Sequence, residues 1–442
     1  MKKTALLLLM ALPVLAQAQP WNLKKCIDYA LEHNITIRQQ QNVAEQQKVQ
    51  LDDSRGNHMP TVDASLSQNF SFGRGLTAQN TYENTNTSNS SMSLGVSLPI
   101  FAGNKIVNSV KLAQLNLDAS LADLDKARDD IRTQVAKAYV QILYDTEITA
   151  VSHRQIEIDS AQVVRLQRMF EAGKASAVEV AQQQAQLAKS RLTATTADNS
   201  RSLSVLALSQ LLELPTPEGF DIAIPDTSML TTPPAGGQGG LPSPDLIYAE
   251  ALGVKPQIKA EQLRLAGTDY SIKIARGDYL PTLSLSGGVG TNYYKTSGFD
   301  ADGFATQLKN NFSQYVGINL SIPIFNHFST RNKIRQAKID RNNRQLRLDA
   351  EKKALYNEIQ QVYYSAVASM TKWNCSSEAV VAGNAAFELA KAKYENGKAT
   401  ITEFNEQKNN FLQAMSDLVQ AKYEYLYQTA LLDFYRGHDL DF

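Results

Sequence analysis

The sequence predicts a chain of mixed helix and membrane strand, built as an internal tandem repeat, and three observations carry that prediction. One and the same offset separates Pro99 from Pro323, Tyr139 from Tyr363 and Gly173 from Gly397, so one structural unit occurs twice without a gap. Four segments alternate apolar with small polar residues over about ten residues or a little more, close to the ~9–11 that a tilted transmembrane strand uses. Each strand pair then gives way to a helical pattern far longer than a globular core is wide.

The first residues, Met1-Lys2-Lys3, then Ala5 to Leu15 and Ala16-Gln17-Ala18, have the basic start, short apolar run and small-x-small site of a secretory signal, 1–18. No later stretch approaches the ~20 apolar residues of a spanning helix, so a place in a membrane has to be made by strands. With 44 basic and 44 acidic residues, charge gives no reason to expect nucleic acid. Cys26 and Cys375 lie far apart at non-equivalent positions of the repeat, which disfavours a disulfide. Five scattered histidines, with no CxxC or HExxH, leave metal chemistry and cofactors without support.

The first repeat, 19–214, opens with two helices, Leu23 to Asn34 and Ile35 to Gly56, and Pro60 forbids continuation of the second. Leu246 to Leu252, Gln257 to Arg276 and Pro281 repeat the arrangement in the second half, 246–442. The first strand hairpin is read at about 61–100. Val62, Ala64, Leu66, Phe70 and Phe72 alternate with Asp63, Ser65, Ser67, Asn69 and Ser71, and Met92, Leu94, Val96, Leu98 and Ile100 form the partner. The second is read at about 282–325, through Leu283, Leu285, Val289 and Tyr293, then Val316, Ile318, Leu320, Ile322 and Ile324. A soluble sandwich shows the same alternation. The polar face here is Ser, Thr, Gly and Asn with hardly a charge, which suits a lumen better than a solvated sheet. Since the smallest closed barrels need about eight strands, four per chain require several chains to share one barrel.

Pro60, Pro99, Pro281 and Pro323 are read as the strand–helix junctions. From Ala102 to Phe170 the pattern is helical, free of proline and roughly 100 Å long. Leu117, Leu121, Leu124, Ile131, Val135, Ala138 and Ile142 form a narrow seam with Arg128 as a charged intruder, and Leu348, Leu355, Ile359, Val362 and Ala366 repeat it. Such a seam wants a partner helix. Gly173 and Gly397 break the pattern, and return helices run from about Ala177 to Leu212 and Ile401 to Phe434, the second with its own seam at Phe404, Phe411, Met415, Leu418, Tyr425 and Leu432. Each half is thus a strand hairpin and a long helical hairpin, at about 102–212 and 327–436. The linker, 215–245, holds half of the chain's prolines and the run Gly236-Gly237-Gln238-Gly239-Gly240, and Phe220 to Ile224 within it is read as a short strand.

The duplicated strand pairs, the duplicated helical hairpins, the signal peptide and the turn Tyr394-Glu395-Asn396-Gly397-Lys398-Ala399-Thr400 together resemble the TolC-type outer-membrane efflux factors over essentially the whole mature chain. The resemblance implies a homotrimer in which three chains give four strands each to one 12-stranded β-barrel that continues as a long α-helical coiled-coil barrel. It implies an exit duct across periplasm and outer membrane, working with a periplasmic adaptor protein and an inner-membrane transporter of RND or ABC type. It places acidic gate rings on Glu403 and Glu406, with Glu179 in the first half, and adaptor docking at the turns, Gly173, Lys174, Ser176, Gly397, Lys398 and Thr400. Where some members carry Arg after the turn, this chain has Ala399, so a salt-bridge latch there is not supported. Ser176-x-x-Glu179 and Thr400-x-x-Glu403 also fit the capping box, which explains both carboxylates without a pore. Glu406 lies outside the box and is the better gate candidate.

Two other classes compete. A periplasmic adaptor also has long helical hairpins, but it would lack the four amphipathic strands and the duplication. An enzyme would need a reactive constellation, and the sequence holds no GxSxG motif and no metal cluster.

Overall fold

The computed structural model describes residues 20–76, 80–225 and 240–440. The signal segment 1–18, residues 236–239 of the glycine run and Phe442 lie outside the described residues. The elements in order are α1 (Leu23–His33), α2 (Ile35–Gly56), β1 (Thr61–Leu76), β2 (Tyr82–Ala102), α3 (Lys105–Glu171), α4 (Ala177–Leu211), α5 (Pro244–Val254), α6 (Pro256–Gly277), β3 (Thr282–Thr296), α7 (Phe304–Asn310), β4 (Ser313–Ser321), α8 (Ser329–Glu395) and α9 (Ile401–Tyr435). The duplication is plain in the lengths, since α3 and α8 both have 67 residues and α4 and α9 both have 35. None of the described helices is long and apolar enough to cross a membrane.

Contacts divide the chain into two compact units, neither of which is one repeat. One holds residues up to Gln39, Leu124–Lys255 and those from Lys352, and the other Gln40–Asp123 and Pro256–Glu351.

The second unit contains the sheet, antiparallel throughout in the order β1-β2-β3-β4, so β2 and β3 pair the two repeats directly. Register puts like on like: Val62 faces Val96, Ala64 faces Leu94, Leu98 faces Leu285 and Leu285 faces Ile318. On the other face Ser65 meets Ser93 and Ser67 meets Ser91, each at 2.7 Å between hydroxyls. Gln68 interrupts the apolar face. Its amide donates to Ser88 at 2.9 Å and its carbonyl accepts from Ser90, so the intrusion satisfies its own polar groups. Val62, Leu66, Phe70 and Phe72 remain exposed in the single chain, as do Val316, Ile318 and Leu320. The outer edges of β1 and β4 have no partner strand in this sheet.

The strand-to-helix joints differ from the predicted ones. Pro99 lies inside β2, beyond the last residue paired to β1, and a register shift between Pro99 and Phe101 absorbs its missing N–H. The chain turns instead at Gly103 and Asn104, φ 63° and 60°, and again at the duplicate positions His327 and Phe328, φ 54° and 60°. Two successive left-handed residues therefore make both joints. In the second half β4 stops at Ser321, so Ile322 and Ile324 lie outside the strand and Pro323 follows its end. Pro60 and Pro281 each directly precede a strand, β1 and β3. β1, β2 and β3 are longer than predicted, up to 21 residues in β2, whereas β4 has 9, and α7 interrupts the loop between β3 and β4. Asp278 ties both long helices to the base of β3, accepting from Lys105 and Lys333 at 2.9 Å each. Those two hydrogen bonds hold its carboxyl below the usual range.

The first unit is held by the long seams. Leu124, Ile131, Val135 and Ile142 of α3 and Leu355, Ile359 and Ala366 of α8 are buried. In the second unit Leu348 is buried too, whereas Leu121, placed in the seam by its spacing, is 45% exposed. Phe220 to Ile224 forms only a single parallel bridge, Trp21 to Ile222. The Tyr139 hydroxyl closes that bridge by donating to the Trp21 and Ala223 carbonyls. Cys26 and Cys375 are free thiols, and burial pushes the Cys26 thiol up to about 12, which leaves it inert.

A test of the joint follows from its packing. A Cβ on Gly103 would collide with the Gly277 carbonyl oxygen, with φ already positive, whereas one on Gly95 in β2 meets nothing within 4 Å. Gly103→Ala is expected to lower the thermal midpoint of the detergent-solubilised protein clearly, and Gly95→Ala to leave it within a degree or two, on the order of what a surface change gives.

Candidate functional site

The sequence candidates gather at the two turns of the helical hairpins, both in the first unit. Gly173 and Gly397 have φ of 72° and 69°, a conformation that costs a residue with a side chain. Each turn is closed the same way. Lys174 N–H donates to the Met169 carbonyl at 2.7 Å, and Lys398 N–H to the Lys393 carbonyl at 2.8 Å, so the last carbonyls of α3 and α8 are used. The next helix starts with a complete capping box in both repeats. Glu179 N–H donates to Ser176 Oγ at 3.2 Å and Ser176 N–H to Glu179 Oε2 at 2.7 Å, matched by Thr400 and Glu403 at 3.2 Å and 2.8 Å. Both carboxylates thus turn back onto their own helix.

Glu406 is exposed and makes no hydrogen bond or ion pair among the described residues. The side chains of Lys174 and Lys398 are exposed as well. Above the turns all four long helices share one core of Leu166, Val180, Phe387, Ile401, Phe404 and Phe411. Phe387 stacks on Phe411 with ring centres 5.7 Å apart. Arg165 lies 5.2 Å over the Tyr394 ring, pairs with Glu395 at 3.7 Å and donates to its carbonyl at 3.3 Å. Burial raises the Tyr394 hydroxyl above its ordinary pKa against the pull of Arg165.

Reading by sequence missed the group that joins the hairpins. Asp159 of α3 and Lys408 of α9, both fully buried, form an ion pair. Gln183 donates to Asp159 Oδ1 at 3.1 Å, Asn405 donates to Gln183 Oε1 at 3.1 Å, and Lys408 donates to Asn405 Oδ1 at 3.3 Å. These four residues close a ring across α3, α4 and α9, and Ser190 Oγ takes the remaining Asp159 oxygen at 2.5 Å. Desolvation lowers the Lys408 pKa, while the hydrogen bond and charge of Asp159 oppose it. Such a pair adds little net stability, but removing one partner alone costs about 3–5 kcal/mol because the other charge stays buried. The signal was present, since Lys408 stands in the seam register between Phe404 and Phe411. A second tie joins α3 to α9, where Glu147 accepts from Lys422 at 3.0 Å and Tyr423 at 2.6 Å. Among the described residues no group of His, Cys, Asp and Glu could hold a metal ion.

The caps give a pH test. Hydrogen bonds from the Ser176 backbone and hydroxyl lower the Glu179 pKa below 4.5. The cap is therefore whole above that ordinary value and is lost as the pH falls through the lowered one. Hydrogen exchange at the first amides of α4 is expected to rise below pH 4.5 relative to mid-helix amides. Glu179→Gln should abolish that dependence.

Comparison with known proteins fits this geometry. The chain matches the "Outer membrane efflux protein" family at residues 26–213 and again at 247–438, once per repeat. It is 22% identical over 362 residues to the outer membrane efflux protein BepC of Brucella suis, covering 81% of this chain and 74% of that protein. It is 25% identical over 314 residues to the pyoverdine export outer membrane protein OpmQ of Pseudomonas aeruginosa, covering 70% of this chain and 61% of that protein. Its fold is that of the outer membrane protein VceC of Vibrio cholerae, with a TM-score of 0.76 at 18% identity over 95% of this chain and 97% of that one. The adaptor reading has no support in these likenesses. With both repeats matched, the chain belongs to the outer membrane efflux protein family.

Proposed function

We propose that this chain is the outer-membrane exit duct of a tripartite efflux or type I secretion system, conducting cargo passively once it is docked to an adaptor and an inner-membrane transporter. The observation that carries this reading is a four-stranded antiparallel sheet with two open edges, joined in each repeat by two left-handed residues to a 67-residue helix. Open edges are untenable in lipid, so several chains share one closed barrel, and the family resemblance sets their number at three, giving twelve strands. The exposed apolar face formed by Val62, Leu66, Phe70, Val316 and Ile318 meets the outer-membrane lipid. The duct does no chemistry of its own and takes its energy from the transporter, of RND or ABC type. Its balanced charge gives no reason to expect nucleic acid.

At the closed tip Glu406 is the gate group, because it is the ring candidate whose carboxylate is not committed to a cap. Three such carboxylates around a symmetry axis repel one another and attract cations. Glu179 and Glu403 act first as caps that shape the turns. The adaptor docks at those turns, where Gly173, Lys174 and Ser176 in one repeat and Gly397, Lys398 and Thr400 in the other present the same surface twice.

Glu406→Gln is expected to lower the cation preference of the channel in planar-bilayer recordings while leaving trimer assembly unchanged. An unaltered reversal potential under a salt gradient would remove Glu406 from the gate.

A further inference from the structure

The sheet is duplicated residue for residue. Thr61 pairs with Ser97 and Val62 with Val96 in the first repeat, and their duplicates pair in the same way in the second, Thr282 with Ser321 and Leu283 with Leu320. β2 and β3 then join the repeats, with Leu94 opposite Val289, Leu98 opposite Leu285 and Ala102 opposite Thr282. One junction of this pattern is missing from a single chain, the one in which β4 stands in the place of β2 and β1 in the place of β3. β4 and β1 are the two open edges. The lower end of β4 bears the mark of the missing neighbour. β2 runs past Ser97, its last residue paired to β1, because β3 pairs with it as far as Ala102. β4 stops at Ser321, opposite the first residue of β3. Ile322, Ile324 and Phe325, the duplicates of Leu98, Ile100 and Phe101, are left exposed, Ile324 at 96%.

We propose that β1 of a second copy of this chain fills the missing junction in the register set by β2 and β3, and that Ile322 to Asn326 become the last part of β4 only when it does. This rests on reading the chain as one of several that share a barrel. Moving each β2–β3 pair to its duplicate puts Val316 opposite Phe70 of the second copy, Ile318 opposite its Gln68, Leu320 opposite its Leu66, Ile322 opposite its Ala64 and Phe325 opposite its Val62. On the polar face Asn319 meets Ser67 and Ser321 meets Ser65. Like faces like at each of these pairs except Ile318 with Gln68, and Gln68 already satisfies its amide on Ser88 and Ser90 of its own chain. A slip of one residue would set Leu320 against Ser65 or Ser67 and turn the apolar face of one strand to the polar face of the other. A slip of two keeps the faces but loses the level of the joints. In the proposed register Thr61 of the second copy lies opposite Asn326, directly before the left-handed pair His327 and Phe328, just as Thr282 lies opposite Ala102, directly before Gly103 and Asn104.

The pairing itself says where a disulfide would fit. Ser297 N–H donates to the Asn86 carbonyl directly opposite, so pairs an even number of residues from this one are hydrogen-bonded, and Gly95 with Gly288 is one of the closer pairs between them, with Cα atoms about 4.5 Å apart. Its duplicate is Asn319 with Ser67 of the second copy, close enough for a disulfide. Within one chain these two residues lie on opposite edges of the sheet, three strand spacings or roughly 14 Å apart, so a bond between them joins chains. In a Cys375→Ser background, Cys26 being buried, oxidised Ser67→Cys with Asn319→Cys is expected to run as linked chains on a denaturing, non-reducing gel. Ser65→Cys with Asn319→Cys and Asn69→Cys with Asn319→Cys, displaced two residues either way, are expected to link several-fold less. The native mass of the unsubstituted protein separates the two readings. A single-chain particle would remove the shared barrel and this proposal with it. A particle of several chains that links best through Ser65 or Asn69, or through none of the three, would overturn the register alone. Hydrogen exchange on the unsubstituted particle tests the lengthened β4 without any substitution. The Ile322 amide is expected to exchange many-fold more slowly than that of Gly298 in the loop after β3, and exchange at the loop rate would show that β4 ends at Ser321 in the assembly as well.

Discussion

A strand at membrane depth cannot leave its backbone N–H and C=O groups unpaired, and here β1 and β4 each carry one open edge. That constraint governs the rest of the molecule. Four strands are too few to close upon themselves, so the sheet demands copies of itself, and any element attached to it must repeat around the same axis. The pairing of β2 with β3 is what makes one chain supply four adjacent strands, because it stitches the two repeats edge to edge. The long helices inherit the arrangement through joints of only two residues, Gly103-Asn104 and His327-Phe328. Gly and Asn tolerate positive φ, but Phe does not do so readily. The second joint therefore carries strain that its setting must offset, and Asp278, bridging Lys105 and Lys333, is the fixed point beside both helices.

Duplication supplies symmetry, and the chain departs from it where function needs a difference. The caps at Ser176 and Thr400 are nearly identical in their backbone hydrogen bonds, because both turns perform the same local task. The seams above them are not alike. Asp159 and Lys408 have no charged counterpart, and Gly383 sits where Asp159 would be repeated, with Phe411 packed against it. Asp159 is held by polar partners, while its duplicate Gly383 packs on Phe411 within the second hairpin. A buried ion pair is a poor source of net stability, yet removing either partner alone is costly because the other charge stays buried.

Much of this was legible in the sequence, and the failures have physical causes. The helix limits followed from Gly56, Gly173 and Gly397 and from the caps, since those signals are local and act within one turn. Strand alternation was equally local. Pro99 misled because a proline usually ends a strand, whereas here it lies past the end of β1 and a register shift removes its cost. The short helix α7 carries no periodic pattern long enough to read. Leu121 fits the heptad but is exposed, because spacing names a face of a helix and not what covers it. The ring escaped for a deeper reason. Its members are up to 249 residues apart, and nothing in the stretch around Lys408 announces Asp159 as its partner. The charge in the seam at Lys408 was the available clue.

The most direct test of the shared barrel is the native mass of the detergent-solubilised particle with the bound detergent subtracted. More than one copy is required because only shared closure satisfies the edges of β1 and β4, and the family resemblance predicts three. A folded single-chain particle would contradict this, since it would mean that the four strands meet their backbone needs without a shared barrel.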